Sequence, residues 1–547
     1  MTQAQAGTGA LRRWFDRNVL ELAREMRWSY LPPLMVYVAA GISGLTGIVG
    51  TFFVKDYLGL SAEFLAALGF WAGLPWALKM PLGHLVDLVW RWKGWLVVIG
   101  ASLIAASLGI MIGLLGDPAA MRAIMPAETW YVLAALLSPI GYVIQDVVAD
   151  AMTVEAVPRV DAQGRAIAAD ERTLMHTTMQ TLGRVAIIGG GVLVSAANVV
   201  LLSGIEAAPA ADKAAAYLRI YQYALVIPVV SLLGVAMASW VRARDRRRLL
   251  AEGLDAARVA SLLAVHSQRP PINWGILGGG LAFAAVSLTI GLGQIPAGQE
   301  IVFGTSLAIV VFLMWRLVGA LDADARRTLI GTAVVIFIFR AIPGPGPGST
   351  WWMIDELGFD EAFIARLSLL ASVLTLAGLF LFRRFMAERP ITSIVFFLTI
   401  AGTLLFLPTI GMYHGLHHWT AAHTGGVVDA RFIALIDTAL ESPLGQISMV
   451  PMLAWIARSA PEELKATFFA VMASFTNLAL SASQLGTKYL NQIFIVTREV
   501  KDPATLAIAT RADYSQLGDL FLTCLVIGLL APLAAIALAR LARWQSA

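Results

Sequence analysis

Two aspartates lie inside a stretch that is otherwise apolar enough to cross a membrane. Asp146 and Asp150 belong to the sequence GYVIQDVVADAMTVEAVP, which continues an apolar run that begins near Trp130. Residues four positions apart share one face of a helix, so we expect both carboxylates to point the same way. A charge near the bilayer centre costs at least about 2.5–3.5 kcal/mol on insertion scales. This face should therefore meet a cavity or an oppositely charged partner.

Arg184, in the following apolar stretch, is the intramembrane base nearest to these acids in sequence. Two interpretations stay open. The acids and Arg184 form an ion pair that only locks two helices together, or one acid carries a proton or contacts a substrate. Two crowded carboxylates favour proton uptake by one of them, which suits the second interpretation. Glu155, at the end of the same run, is expected to lie in water on the cytoplasmic side.

Further ionisable residues interrupt other apolar runs, namely Lys79, Arg340, Glu441 and Lys488. Lys79 lies between Pro75 and Pro81, and prolines there loosen a helix and free backbone carbonyls. Arg340 precedes IPGPGPG, which cannot continue a helix, so we interpret this segment as an unwound exit from the membrane. Snorkelling of Arg340 to the membrane surface is the alternative. The bases in this set suggest an anionic substrate, and the acids suggest a proton or a substrate with hydrogen-bond donors.

Neutral polar residues recur on the penultimate apolar run, where Asn477, Ser481 and Gln484 are expected to line the same cavity. Four of the seven histidines lie between His414 and His423, but no acid or cysteine completes a metal site there. We therefore expect no metal and no cofactor. The sequence also lacks a Walker A motif and a nucleophile elbow, which argues against an ATPase or another enzyme.

The composition is that of a membrane protein. Hydrophobic residues make up 58% of the 547 residues and charged residues only 14%, whereas soluble domains average about 45–50% and about 25%. Apolar runs of about 20 residues recur along the chain, which is typical of transmembrane helices, and they lack the alternation of a β-barrel. The single cysteine, Cys524, excludes a disulfide within one chain. The N-terminus shows no cleavable signal.

Fourteen segments are predicted to cross the membrane. They are about 33–54, 64–87, 95–115, 130–154, 173–203, 219–241, 273–294, 300–320, 328–346, 362–382, 391–411, 431–457, 466–494 and 517–540. With the N-terminus inside, 26 Lys and Arg residues fall in cytoplasmic segments and 8 in outer segments. The positive-inside rule thus predicts that both termini face the cytoplasm. The net charge of +4 reflects this topology and does not indicate nucleic-acid binding.

A basic segment that contains RARDRRR divides the chain after the sixth predicted span. The prediction is an all-α polytopic protein with two six-helix bundles and an extra two-helix hairpin. Its parts are a cytoplasmic segment 1–30, a first bundle 31–241, a basic linker 242–272, a hairpin 273–325 and a second bundle 326–547. Each half offers two acids four residues apart and then a base, the second set being Asp437, Glu441 and Lys488. Paired halves with a site between them are the usual plan of secondary transporters.

The turn after the second span, GHLVDLVWRWKG, resembles the loop signature of the major facilitator superfamily between helices two and three. The matching positions are Gly83, Leu85, Asp87 and Arg91. Lys93 adds basic charge, while Leu88 and Trp90 replace the usual base and glycine. We expect Gly83 to allow close helix approach, and Arg91 and Lys93 to stay in cytosolic water. The resemblance implies that Gly83, Asp87, Arg91 and Lys93 form a cytoplasmic gate that breaks during transport.

Three stretches resemble the folate-biopterin transporter family within that superfamily, namely GLPWALKMPLGHLVD, QDVVADAMTVE and PEELKATFFAVMASFTNLALSASQLG. The resemblance implies a twelve-helix core, extended here to fourteen helices, and a folate or pterin that moves with a proton. The two carboxylates of folate would suit Lys79, Arg184 or Lys488. The amino-pyrimidinone edge of a pterin would suit Asp146 or Asp150.

These observations predict a proton-coupled secondary transporter that moves a folate- or pterin-like anion by alternating access. Its expected partners are that substrate, protons and the lipid bilayer, and we expect a monomer. The Ala, Gly and Arg usage favours a bacterial inner membrane. Two alternatives stay open, a facilitator-type carrier of another solute such as a muropeptide, sugar acid or drug, and a membrane-embedded assembly factor or enzyme without a transport cycle.

Overall fold

The computed structural model is helical apart from one short β-hairpin. It describes residues 24–547 except 78, 159–160, 162–164, 166, 206–207, 264–271, 273, 294, 319–322, 448–464, 502–507, 543 and 545–547. The hairpin pairs β1 (Val500–Lys501) with β2 (Ile508–Thr510) in antiparallel register, in the connection before the last helix. Most of the predicted N-terminal segment and part of the predicted basic linker therefore lie outside the described residues.

The first half contains the helices α1 Leu31–Gly41, α2 Gly47–Tyr57, α3 Ala62–Ala77, α4 Lys79–Leu88, α5 Lys93–Gly116, α6 Pro118–Ile124, α7 Ala127–Ala156, α8 Ala169–Leu201, α9 Ala210–Ala224 and α10 Val226–Ala251. The 3-10 turn Ile42–Thr46 joins α1 to α2, so the first span is interrupted near its middle. The basic cluster that was predicted as a linker continues α10, because Ala, Leu and Arg are strong helix formers.

The second half contains α11 Ala256–Leu263, α12 Trp274–Leu292, α13 Gly298–Val318, α14 Ala323–Arg340, α15 Pro347–Asp355, α16 Glu361–Leu381, α17 Arg383–Glu388, α18 Ile391–Tyr413, α19 Leu416–His423, α20 Ala430–Glu441, α21 Lys465–Ile493 and α22 Leu517–Leu541. Here α12 and α13 form the predicted hairpin. Each of the fourteen predicted segments contains a helix. Ten helices in the described part are long and apolar enough to cross a membrane, so the count of fourteen crossings is not confirmed.

The Pro-Gly segment 341–346 separates α14 from a further short helix, α15, which the sequence analysis did not predict. The helix resumes as α15, with Pro347 in its first turn, where proline is tolerated. Gly346 has a φ of 75°, a conformation that favours glycine, and an added Cβ would come within 2.8 Å of Asn491 Nδ2. Arg340, the last residue of α14, therefore lies at the break between α14 and α15.

The two halves meet along two helix pairs. Helix α3 packs along α21, and α8 packs along α16. Gly69 and Gly73 of α3 face Gln484 and Ser481 of α21, and an added Cβ on Gly69 would come within 2.8 Å of Gln484 Oε1. Below, the outer end is the end that carries the connections 58–61, 202–209 and 356–360, and the inner end carries 89–92 and 382–390, following the predicted topology.

Two glycines set the crossing of α1 and α8 in the first half. An added Cβ on Gly190 would come within 2.8 Å of the Gly41 Cα and 2.9 Å of its carbonyl carbon, which are backbone atoms that cannot rotate away. Gly189, the preceding residue, has open space at the same position. Close backbone approach at small residues is a common way of packing membrane helices.

We predict that Gly190→Ala lowers the stability of the protein and that Gly189→Ala does not. The first change forces α1 and α8 apart and should cost about 1–3 kcal/mol, as overpacking does. The second gains about 0.5–1 kcal/mol of helix propensity without a clash. Thermal melting of both purified variants in detergent checks this, and equal melting temperatures would contradict the packing described here.

Candidate functional site

Lys79 holds both aspartates of α7. Its Nζ lies 2.5 Å from Asp146 Oδ2 and 2.9 Å from Asp150 Oδ2. The two carboxylates share one face of α7, as their spacing predicts. The base that pairs with them is Lys79 and not Arg184, the nearest predicted intramembrane base in sequence. Together with Tyr37, whose hydroxyl donates a 2.7 Å hydrogen bond to Asp150 Oδ1, these residues form what we call the ionic cluster.

The ionic cluster is enclosed on one side and open on the other. Tyr37 is 6% exposed, and the side chains of Lys79 and Asp146 are 22% and 18% exposed, whereas that of Asp150 is 47% exposed. Arg184 interacts electrostatically with Asp146, but it has no ion pair within the part of the chain that the structure describes. The two positive charges of Lys79 and Arg184 therefore balance the two negative charges of the aspartates.

The acids of the second half are not arranged like those of the first. Asp146 is the twentieth residue of α7, whereas Asp437 is only the eighth residue of α20 and lies nearer the outer end. Glu441 is the last residue of α20 and is exposed. Lys488 pairs instead with Glu300 of the hairpin, with Nζ 3.0 Å from Oε1. The two acids and the base that recur in the sequence of each half are therefore arranged differently in the two halves.

The neutral residues of α21 lie at the seam with α3 and α4. Asn477 Nδ2 donates a 3.4 Å hydrogen bond to the Trp76 carbonyl, three residues before Lys79. Ser481 is buried against Gly73, and Gln484 is exposed beside Gly69. We expected these residues to line the cavity with the charges. In this structure they place the second half against α3, the helix that ends two residues before Lys79.

Arg340 anchors the interrupted span to α21. Its Nε donates a 3.2 Å hydrogen bond to the Thr476 carbonyl. The backbone N–H of Gly344 donates to Thr487 Oγ1 at 3.0 Å, and Asn491 Nδ2 donates to the Pro345 carbonyl at 3.3 Å. The residues that lose their helical partners at the break are thus held by side chains of α21.

At the inner end, Glu155 and Lys93 are not in water as we expected. Lys93 is 4% exposed, and its Nζ lies 2.7 Å from Glu155 Oε2 and 4.0 Å from the Trp90 ring centre. Arg242 Nη1 lies 3.4 Å from the other Glu155 oxygen. A buried ammonium needs a counter-charge, and Glu155 supplies it. This inner network ties α5, α7 and α10 of the first half together.

Other residues of the predicted cytoplasmic gate lie close to this network. Arg91 is exposed, with its guanidinium carbon 5.9 Å from the Trp92 ring centre, so it does stay at the surface. Asp87 interacts with another residue. Gly83 makes no close helix approach in this structure, because an added Cβ would meet no described atom within 4 Å.

At the outer end, an ion pair that the sequence did not reveal joins the halves. Lys55 Nζ lies 2.5 Å from Asp355 Oδ1, and the Tyr514 hydroxyl donates to Asp355 Oδ2 at 2.5 Å. Arg498 donates to the carbonyls of Lys55 and Leu60 at 2.7 and 2.5 Å. We call Lys55, Asp355, Arg498 and Tyr514 the outer clamp. These residues lie up to several hundred positions apart in the sequence, so no local pattern predicted that they would meet.

Burial changes the acid–base chemistry of the outer clamp. Burial and the Asp355 carboxylate raise the pKa of Tyr514 above its ordinary value, so this hydroxyl stays protonated and keeps donating. Burial lowers the pKa of the Arg498 guanidinium, but an arginine remains charged at neutral pH.

A second link between the halves lies nearby, where Lys213 Nζ is 3.3 Å and the Tyr217 hydroxyl is 2.5 Å from Glu361 Oε1.

Comparisons with known proteins agree with the resemblance found in the sequence. Residues 305–543 match the model of the BT1 family. The chain is 23% identical over 505 residues to the Folate-biopterin transporter of Synechocystis sp.. The aligned region covers 91% of this chain and 82% of that protein. It is 22% identical over 161 residues to Putative folate transporter 2 of Plasmodium berghei, or 29% of this chain and 34% of that protein. The predicted family resemblance is confirmed.

The fold is similar to that of solved transporters. The crystal structure of peptide transporter POT in complex with sulfate matches with a TM-score of 0.55 and 16% identity, over 94% of both chains. This likeness supports the facilitator-type helical fold. The names of both relatives describe transporters, which agrees with the expectation of a transporter for this chain.

We predict that Lys79→Met destabilises the protein and that adding Asp146→Asn restores part of the loss. The single change leaves two carboxylates without their base, and the second change removes one of them. Because the cluster is partly exposed, the cost should be about 1–3 kcal/mol, below the roughly 3–5 kcal/mol of a fully buried pair. Thermal melting of the single and double variants measures this. A double variant less stable than Lys79→Met would show that the two residues do not compensate each other.

Proposed function

We propose that this chain, with its likeness to the folate-biopterin transporters, is a secondary transporter that moves a folate- or pterin-like organic anion together with protons by alternating access. The observation that carries the proposal is the ionic cluster, in which one lysine on a membrane-spanning helix is neutralised by two acids. Such charges are costly in a membrane and usually mark substrate or proton pathways. We further propose that the protein acts as a monomer in an inner membrane, with both termini in the cytoplasm.

Charge balance links anion binding to proton binding. Both carboxylates already neutralise the Lys79 ammonium group, so an anion that binds Lys79 would be repelled by them and would displace Asp146 or Asp150. The displaced carboxylate then has no counter-charge in a region of low dielectric, where the neutral acid is favoured over the ion. Taking up one proton restores the balance. Each bound anionic group would thus bring a proton with it, and both would leave together when Lys79 recovers its aspartate.

Asp150 is the better candidate for the displaced acid. Its side chain is 47% exposed, whereas that of Asp146 is 18% exposed. Tyr37 already donates to Asp150 and can remain its partner after the change. Arg184 would remain as a second positive charge beside Asp146 and would bind a second anionic group. Asn477, next to Trp76 at the seam, is placed to contact the same substrate from the second half.

The remaining predicted site residues have supporting roles in this proposal. Lys488, paired with Glu300, and Arg340, bound to α21, hold the second half and the hairpin in position. Gln484 lies at the seam with α3 and would change its contacts as the halves move. Glu441, exposed at the end of α20, would serve as a proton acceptor only if the second half exposes it to the cavity.

Alternating access requires that each end open in turn. The outer clamp ties the first half to the second, through Lys55 on α2 and Asp355 on α15, and would have to break for the outer end to open. The interruptions at Ile42–Thr46 and 341–346 occur in the first span of each half, where bending is easiest. At the inner end, the predicted gate residues Gly83, Asp87, Arg91 and Lys93 would close when the outer clamp opens.

We predict that Asp150→Asn abolishes proton-driven uptake without unfolding the protein. In proteoliposomes, wild-type protein should take up labelled folate faster when the side that holds the substrate is more acidic. The variant cannot accept the proton, so its uptake should fall to the level of empty liposomes with or without a pH gradient. Competition by unlabelled pterins and by sugar acids identifies the class of substrate.

Asp519→Asn, at an exposed position in α22, is the matched control and should transport like wild type. An active Asp150→Asn variant that keeps its response to the pH gradient would contradict the proposed coupling. Wild-type protein that takes up no folate or pterin would contradict the proposed substrate.

We also predict that Asp355→Asn opens the outer end. The change leaves Lys55, whose side chain is 7% exposed, with only the more distant and more exposed carboxylate of Asp56, at 3.6 Å. A membrane-impermeant maleimide should then label a cysteine introduced by Thr46→Cys, in a Cys524→Ser background, faster from the outside. Each decrease of about 1.4 kcal/mol in the free energy that favours the closed outer end would raise the population of the open form about tenfold. Asp519→Asn in the same background is the control, and equal labelling rates in both would argue against a gate at this position.

A further inference from the structure

A cavity of about 460 Å³ lies on the outer side of the ionic cluster. Helices of the first half form most of its wall, and Pro347 and Trp351 of α15 contribute from the second half. Hydroxyl groups and aromatic rings recur in the lining, but no charged residue of the described chain lines it. Cavities of roughly 300–1,000 Å³ are typical of small-molecule sites.

The cavity and the ionic cluster follow one another along α7 and along the α3–α4 segment. Ser138 and Tyr142 line the cavity, and Asp146 and Asp150 follow on the same face of α7, each four residues further along. At a rise of about 1.5 Å per residue, Ser138 lies roughly 12 Å from Asp146 along the helix axis. On α3, Gly69 and Ala72 line the cavity before the chain reaches Lys79. An elongated molecule can therefore contact both regions at once.

Several hydroxyl groups in the cavity lack a protein partner. Ser107 donates to the Ala134 carbonyl at 2.7 Å. In contrast, four lining hydroxyls make no hydrogen bond within the described part of the chain, those of Thr46, Tyr131, Ser138 and Tyr221. Polar groups away from bulk water are rarely left unpaired, so these four must bond to water or to a bound molecule. A hydroxyl both donates and accepts, which suits a ligand that carries both kinds of group on its edge.

We infer that this cavity binds the flat, uncharged ring system of the transported molecule, while Lys79 binds its anionic part. The inference rests on the proposed function and extends it by assigning the two chemical parts of the substrate to two sites. An uncharged lining would not stabilise a carboxylate, but its four unpaired hydroxyls and its aromatic side chains suit a heteroaromatic ring with donors and acceptors on its edges. The ring then points to the outer end and the charged part to the middle of the membrane.

Equilibrium binding to the purified full-length protein separates the two sites. The probes are pterin, which is the ring without a tail, p-aminobenzoyl-glutamate, which is the tail without the ring, and folate, which contains both. Tyr221→Phe, Tyr131→Phe and Thr46→Val each remove one hydroxyl and little volume. Each should weaken pterin binding about 2- to 10-fold, the range for one net hydrogen bond. Binding of the tail alone should stay unchanged.

Lys79→Met should give the opposite pattern, with weaker binding of the tail and unchanged binding of pterin. Thr289→Val, which removes an exposed hydroxyl on the hairpin, is the matched control for Thr46→Val and should bind all three probes like wild type. Ser138→Leu fills the cavity and should block pterin but not the tail. Size-exclusion profiles and melting curves establish that each variant is folded.

The possible outcomes distinguish this inference from the proposed function. Unchanged pterin binding in the three hydroxyl variants and in Ser138→Leu would mean that the cavity holds only water, and would overturn the inference. Folate binding that still depends on Lys79 would in that case continue to support the proposed transporter. Wild-type protein that binds none of the three probes would overturn both.

Discussion

The neutralisation of charge inside the membrane governs the rest of this structure. Lys79 cannot remain ionised among apolar helices without a counter-charge, and Asp146 and Asp150 supply it at 2.5 and 2.9 Å. The requirement fixes three elements relative to one another, because Lys79 is on α4, the aspartates are on α7, and Tyr37 on α1 completes the shell of Asp150. Removing Lys79 leaves both carboxylates without their base, whereas removing one aspartate leaves Lys79 paired with the other. The same contacts that hold these helices can therefore exchange only when another charged group replaces the one that leaves.

The two ends of the protein use ion pairs in different ways. At the inner end, Lys93, Glu155 and Arg242 join helices of one half, which makes that half rigid. At the outer end, Lys55 and Asp355 join one half to the other. Contacts within a half survive when the halves rock against each other, whereas contacts between halves must break. The hairpin adds to the second kind, because Gln299 Nε2 of α13 donates to the Ala67 carbonyl of α3 at 3.1 Å and Glu300 pairs with Lys488 of α21. It thus bridges the seam along which the halves meet.

Sequence reasoning located the helices well and the partners poorly. Helices follow from local signals, since apolar runs, prolines and glycines act within a few residues, and each predicted span accordingly contains a helix. Ion pairs depend on tertiary packing. Arg184 is the nearest predicted intramembrane base to Asp146 along the chain, but Lys79 is the base that pairs with it in space, and Lys55 and Asp355 are three hundred residues apart. The Pro-Gly segment 341–346 shows the limit of a local rule, because prolines predict that a helix stops but not that it resumes as α15.

The two halves share an architecture but not a chemistry, and this difference bears on how the proposed transport cycle works. Both first spans are interrupted near the middle, at Ile42–Thr46 and at 341–346, so both can bend at that depth. The charges that would bind substrate and proton nevertheless belong to the first half, whereas α21 presents Asn477 and Ser481 to the seam. A substrate held mainly by one half does not need to be released by that half when the other half moves. The second half would then slide along α3, because Gly69 and Gly73 have no side chains that would block the movement of α21. The exchange of charged partners at Lys79 would determine when this movement can occur.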